Sequence, residues 1–533
     1  MGRLSRWYPL ALTLALLWAC LALLLAASLR RTDGHLVYAL DDPYIHMAMA
    51  KNVARHGVWG VSSTEFSPCS SSLLWTSTLS LLYAAFGAQA WIPFVLNGLL
   101  ATLAVAVTHR LFRDGSPEAP GLYVAGVLVA SVFATPLPAL VFAGQEHIAH
   151  AILNLAFLVR AAQVLTSAAP PGPRPYGGLM LLAALLTGTR YEGLFPVGLV
   201  AGLLVIRRQP QAALLIAAAG AAPVAVHGVI SMAMGWFFLP SSVLLKASRP
   251  DVTSWHGFLV SLGSGFETLW RVRAVMALVA GALVLLVVSW RRLLTRASTL
   301  LLGLFVVLAV VHMHLAQPRS FWLYRYEAYL VLLGLFAVGQ SLLDLLPVGI
   351  RENSRRTVAL AYACLIAAFL LSPVAARALD AARRVPLATA NIYEQSYQMA
   401  RFVRRYYDGT SVALSDIGAV TYFADVRCLD LVGLASRDIA IRRLNGDFFR
   451  EDIEDAARDR GTRIAILHDY RFERMGLPRN WVRAGTWTIP NRLVLADATL
   501  SFYATNPDEL PVLKQHLREF AAELPRRVSY RIE

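Results

Sequence analysis

At 533 residues, 57% of them hydrophobic and with a mean hydropathy of +0.53, the chain is too apolar for a soluble enzyme. Its net charge of +15 invites a polyanion partner, yet residues 1–373 hold 25 Lys/Arg against 13 Asp/Glu, while residues 374–533 hold 24 against 21. The excess lies in short loops of the apolar part (Arg110/Arg113, Arg207/Arg208, Arg291/Arg292/Arg296, Arg351/Arg355/Arg356), the positive-inside pattern of a membrane protein, and this excludes nucleic acid as a partner.

In chain order, two arginines precede an apolar run from Trp7 to Leu29 that is too long for a signal-peptide core and reads as an uncleaved anchor. The loop 30–89 follows, and in it Leu40-Asp41-Asp42-Pro43-Tyr44-Ile45-His46 sets two carboxylates side by side at the rim of a membrane. Asp42 before Pro43 predicts a helix cap, and Gly57 predicts the stop of that helix. Asp41 is then left over, an expensive placement for a carboxylate unless something uses it. Residues 71–86 are apolar but rich in Ser, Thr and Trp, which predicts a surface-lying or re-entrant helix.

Spans are predicted at 7–29, 90–112, 121–143, 146–165, 177–190, 192–206, 211–234, 273–290, 297–316, 323–346 and 357–374. The pair 177–190 and 192–206 is short and predicts a hairpin shielded by its neighbours. With the basic loops in the cytoplasm, eleven crossings put the C-terminal part outside. Asp41, Asp42, Glu146, Glu192, Glu327, Arg190, Lys246, Arg319 and Arg325 then share the external side. Singly each marks a helix end; as a set they describe a polar cavity opening away from the cytoplasm. Trp59, Trp75, Trp236, Trp255 and Trp322 flank spans on that side and read as interfacial anchors, with Trp255 and Trp322 also suited to stack on a sugar. The four cysteines give no disulfide framework: Cys20 and Cys364 lie in apolar runs, and only Cys69 and Cys428 are placed where they could meet outside the membrane.

Past residue 374 the pattern changes. Residues 412–414, 429–432 and 463–467 are short apolar runs that predict buried strands, with helices at 391–408 and 437–460 between and beside them. A hairpin is predicted over 482–489 and 492–503, and an amphipathic helix over 508–523. The expected architecture is a mainly α, polytopic membrane bundle of about eleven helices (1–374) with an extracytoplasmic α/β domain (375–533). No Gly-rich phosphate loop and no Cys/His zinc pattern is present.

A spare carboxylate and several cations outside the cytoplasm suit group transfer from a lipid-linked phosphate. The carboxylate takes the proton of an attacking hydroxyl, and cations hold the departing phosphate. The acidic pair after the first span resembles the hallmark of the GT-C superfamily of integral-membrane glycosyltransferases, and its surroundings resemble the arabinofuranosyltransferase-like branch. Gly144-Gln145-Glu146-His147 is similar to that branch's Gly-Met-Glu element, with Gln145 in place of Met. Thr189-Arg190-Tyr191-Glu192-Gly193 is similar to its Arg-Pro-Glu-Gly element. Leu239-Pro240-Ser241-Ser242-Val243-Leu244-Leu245-Lys246 resembles its Pro-Asn-Thr/Ser…Lys element, with Ser241 where Asn is usual, and Tyr324-Arg325-Tyr326 a later Arg-Tyr element. The stretch 415–434 resembles the branch's external domain.

The resemblance implies the GT-C fold, a polyprenyl-phosphate-linked donor, and inverting hexosyl or pentosyl transfer to a glycan, lipid or protein acceptor at the outer face of a bacterial cytoplasmic membrane. Asp41 is expected as the base, with Asp42 capping its helix and orienting the acceptor; the reverse assignment is the rival. Lys246 and Arg325 are expected at the donor phosphate. Arg190 and Glu192 are expected to pair, and Glu146, His147, Tyr326 and Trp322 to serve substrate or structure. Glu146 and His150, four apart on one helix face, would join Asp41 if a divalent metal were bound; otherwise Glu146 hydrogen-bonds acceptor or backbone. The alternative function is a lipid-linked-saccharide flippase without chemistry, whose charges belong at broken helices near the bilayer midplane.

Overall fold

A computed structural model describes residues 3–167, 173–246, 254–293, 295–315, 322–345 and 354–533. Arg319, Arg351 and the side chains of Lys246, Arg355 and Arg356 lie outside the described residues. The first half holds α1 (Arg3–Arg31), α2 (Asp42–His56), α3 (Leu73–Phe86), α4 (Ile92–Gly115), α5 (Gly121–Ala134), α6 (Leu137–Ala143), α7 (His147–Thr166), α8 (Pro173–Thr189), α9 (Leu194–Ile206) and α10 (Pro210–Ala233). There follow α11 (Ser241–Lys246), α12 (Trp255–Arg271), α13 (Arg273–Ser289), α14 (Ala297–Leu315), α15 (Ala328–Leu345) and α16 (Ser354–Ile392).

Each expected span falls on one of these helices, 121–143 being shared by α5 and α6. Among the described residues seven helical stretches are long and apolar enough to cross a bilayer, and four more are apolar but shorter. The chain is a multi-pass membrane protein. Trp7, Leu12 and Leu23 of α1 and Leu214, Val226 and Val229 of α10 face outward, as on helices whose solvent is lipid. Helix α12 was not expected; its exposed Trp255, Leu259, Val260, Phe266 and Trp270 give it an outward apolar side. Trp75, expected as an interfacial anchor, is instead buried, because α2 and α8 pack over α3.

The two ends of the bundle differ. At one, Trp7 meets the ring of His109, Ser116 bonds Gln340, and Arg296 pairs with Asp344, so the basic loops after α4 and α13 gather with the start of α1. At the other end lie α2 and the sheet domain. Gly57 (φ +68°) ends α2 as expected, its N–H closing on the Val53 carbonyl and the next N–H, of Val58, on that of Asn52. The start of α2 differs from expectation. The helix includes Asp42, Asp41 stands before it without a side-chain cap bond, and the Asp42 carboxylate is drawn off to Arg325. A guanidinium offers that carboxylate a stronger partner than a cap N–H.

Helix α16 carries the chain without a break into the sheet domain, passing through one π-helical turn (Tyr393–Tyr397) to α17 (Gln398–Tyr406). The domain then runs β1 (Ser411–Leu414), α18 (Gly418–Phe423), β2 (Arg427–Asp430), α19 (Arg437–Asn445), α20 (Arg450–Asp459), β3 (Ile464–Leu467), β4 (Val482–Thr488), β5 (Thr499–Ala504), α21 (Glu509–Ala521) and β6 (Ser529–Ile532). The predicted strands and hairpin are present; α18 and β6 were not anticipated. Sheet order is β2-β1-β3-β5-β4-β6, with β2, β1 and β3 parallel and the rest antiparallel. The parallel strands are covered on both faces, which explains their unbroken apolar runs. One core runs from Leu17 of α1 through Tyr44 and Met47 of α2 to Leu414, Ile464 and Phe502, so bundle and sheet share apolar packing.

Candidate active site

The acidic loop is seated by a glycine. Gly144 (φ +65°) follows α6, and a Cβ there would stand 2.5 Å from the Tyr38 ring and 3.1 Å from Pro43. With no side chain in the way, the Ala39 N–H reaches the Phe142 carbonyl at 2.9 Å. The turn Gly144-Gln145-Glu146-His147 thereby lies against the acidic pair, two stretches a hundred residues apart in the chain.

Arg325 arrives from the opposite side. The turn before it places Leu323 (φ 54°) and Tyr324 (φ 58°) in the left-handed region, which costs roughly 1–2 kcal/mol per residue. The Arg377 guanidinium holds that turn through the Tyr324 carbonyl at 2.9 Å and forms a buried pair with Glu327 at 2.5 Å, so the Glu327 charge is taken up in bracing the turn. Arg325 is 2% exposed and donates to Asp42 at 2.5 Å, to Gln145 Oε1 at 2.5 Å and to the Tyr326 hydroxyl at 2.9 Å. Its guanidinium lies 4.8 Å from the Tyr326 ring centroid and 5.7 Å from that of Trp322.

The expected pair of Arg190 and Glu192 forms at 2.6 Å, and Arg190 also binds Glu146 at 2.5 Å. Glu146 has no exposure, and its second oxygen lies 3.9 Å from His46 Nε2 on α2. His147 approaches Arg190 at 3.5 Å and meets the Tyr326 ring edge-on; Tyr326 thus sits between the guanidinium groups of Arg190 and Arg325. His150 turns away to pack on Tyr329. Among the described residues no three His, Cys, Asp or Glu side chains gather to hold a metal. Glu146, held by Arg190, does not fit the set it would form with His150 and Asp41.

Asp41 takes a different partner. Its Oδ2 accepts the N–H of Gly418 at 2.7 Å and its Oδ1 that of Ala419 at 2.9 Å, both in α18 of the sheet domain. Burial raises its pKa to about 7, aided by the negative charges of Asp416 and Asp42 and opposed by the two N–H groups. Along α2, buried Lys51 donates to the carbonyls of Thr421 and Tyr422, and burial lowers its pKa to about 8. Ser241, where the resembled element has Asn, hydrogen-bonds the Leu434 carbonyl and fixes α11 to the sheet domain. Lys246 ends α11, and its side chain lies outside the described residues.

The fold has a solved counterpart. The crystal structure of ArnT from Cupriavidus metallidurans bound to undecaprenyl phosphate aligns with a TM-score of 0.53 and 13% identity, covering 94% of this chain and 98% of that one. The chain has the GT-C fold. The apo crystal structure of the Archaeoglobus fulgidus oligosaccharyltransferase aligns at a TM-score of 0.49 and 12% identity over 95% of this chain and 75% of its own. Residues 390–503 match the family described as "Domain of unknown function (DUF8728)". A comparison with curated proteins by sequence gives no match.

On this GT-C scaffold, Asp41, Asp42, Glu146, His147, Arg190, Glu192, Trp322, Arg325 and Tyr326 come together at the end of the bundle under the sheet domain. Three contributors stand in the quoted stretches but were given no role there. His46 lies four residues after Asp42 on one helix face, a spacing that was legible; Gln145 and Gly418 carry no local signal of the partners they meet.

Proposed function

We propose that this protein moves a sugar from a polyprenyl-phosphate carrier to an acceptor hydroxyl at the extracytoplasmic face of a bacterial cytoplasmic membrane. The observation that carries this reading is the GT-C fold with an acidic pair at the bundle end, Asp42 paired to Arg325 and Asp41 part-exposed beside it. Asp41 accepts the proton of the acceptor hydroxyl as its oxygen attacks the anomeric carbon. The bond from that carbon to the phosphate oxygen breaks, its electron pair leaves with polyprenyl phosphate, and the anomeric centre inverts. Lys246 holds the phosphate as a point charge, and Arg325, whose fork is engaged by Asp42, Gln145 and Tyr326, contributes its positive charge at the phosphate. Arg190, held by two carboxylates, braces Glu146 and Tyr326. Residues 1–374 form the catalytic module and 375–533 the external domain.

Support for transfer over flipping comes from position: the charged groups cluster at one end of the bundle, away from the midplane placement a transporter uses. The deciding experiment incubates purified protein with a panel of radiolabelled polyprenyl-phosphate sugars and extracytoplasmic acceptors. Asp41→Asn should bind donor and lose turnover by about 10²–10⁴-fold. Full turnover in Asp41→Asn refutes the assigned base. Transbilayer movement of intact lipid-linked sugar by reconstituted protein, with no cleavage, refutes transfer.

A further inference from the structure

The carboxyl ends of β1 and β3 form a crevice. From β1 the sheet extends to β2 on one side and to β3 on the other, so the connections leave in opposite directions there. Such a switch point is where open α/β sheets receive ligands, at the N–H groups that follow the first strand. What enters this crevice is the carboxylate of Asp41, from 377 residues earlier in the chain. Gly418 makes the entry possible. It is not held at positive φ, so its backbone does not require glycine; its space does. A Cβ on Gly418 would stand 2.2 Å from the Asp41 carbonyl oxygen and 2.6 Å from Oδ2.

The opposite end of the same short helix is also held by the acidic stretch. Lys51 Nζ lies 3.0 Å from the Thr421 carbonyl and 2.9 Å from that of Tyr422. The segment 41–51 therefore places an anion at the amino end of α18 and a cation at its carboxyl end, matching the polarity of a helix. Tyr44, between them, packs against Tyr422 and Phe423.

We propose that the sheet domain completes the active site, α18 holding the Asp41 carboxylate in its working orientation with Gly418 as the positioning residue. The inference rests on Asp41 being the base and is tested separately from it. In Gly418→Ala, the intact full-length enzyme should lose about 10–100-fold in kcat, since misplacement by about 1 Å costs on the order of 10²-fold, while KM for the lipid-linked donor stays within about two-fold. The acid limb of its pH–rate profile should also move to higher pH. A Cβ that pushes the carboxylate off the Gly418 and Ala419 N–H groups leaves the Asp41 charge facing Asp42, Tyr44 and Asp416 with less support. Lys51→Met, which frees the far end of α18, should shift kcat and the limb the same way by less, and Lys51→Arg should restore both.

Wild-type kcat in Gly418→Ala overturns the proposal. So does a fall in kcat that only tracks lost folded protein, with the acid limb unmoved. If Gly418→Ala does not fold, Lys51→Met decides: an unchanged kcat and limb overturn the proposal. Should Asp41→Asn be inactive while Gly418→Ala is fully active, positioning alone falls; full activity in Asp41→Asn removes the base and positioning together.

Discussion

Replacing Arg190 by Met gives a direct measure of how the interior is charged. The guanidinium side chain is 8% exposed and holds Glu146, with no exposure, and Glu192, at 20%. Met fills much of the space but leaves two carboxylates together with no counter-charge. Breaking a buried pair by removing one partner costs about 3–5 kcal/mol. For a chain of 533 residues that lowers the thermal midpoint by about 3–4 °C. Glu146→Gln should cost less, because Arg190 keeps Glu192. Arg190→Met combined with Glu146→Gln should recover about 1–3 kcal/mol relative to Arg190→Met alone, the coupling expected of contacting groups. The assay is intrinsic fluorescence melting of purified protein in one detergent at one heating rate, since membrane-protein melts are often irreversible. If Arg190→Met melts within about 1 °C of wild type, or the double variant is no better than the single, the network is not the buried charge cluster described.

Two further outcomes are expected. With the Asp41 pKa raised to about 7, transfer should fall roughly tenfold per pH unit on acidification below that value, and Asp416→Asn should move this limb to lower pH by removing a like charge. The sign for stability is opposite: the folded state holds this proton more tightly than the unfolded chain, so Asp41 contributes stability at low pH that is lost as pH rises from about 4 to about 7. Acid loss of activity should thus occur without a matching loss of folded protein; a melting midpoint that falls on acidification from about 7 to about 4, and does not do so in Asp41→Asn, contradicts the assignment. Arg325→Lys should lower turnover and weaken donor binding by about 1.5–3 kcal/mol, since Lys cannot serve Asp42, Gln145 and Tyr326 in one plane. Equal affinity in a direct binding assay would exclude Arg325 from the phosphate site.

The sequence by itself determined the spans, the strand runs and the pairing of Arg190 with Glu192, because these follow from local periodicity or from neighbours two residues apart. The acidic pair was legible for the same reason: charge is conspicuous in an apolar chain. Only the tertiary structure decided how the pair is divided. Asp42 looked like a cap, and Arg325, more than 280 residues away, draws it off; Asp41 looked unclaimed, and Gly418 and Ala419 of the sheet domain receive it. Glu146 looked like a candidate ligand and is held by Arg190. Such partnerships depend on which helix ends and sheet edges meet when bundle and domain share one core, and sequence patterns set which face is apolar without saying what will stand opposite the few charges left on it.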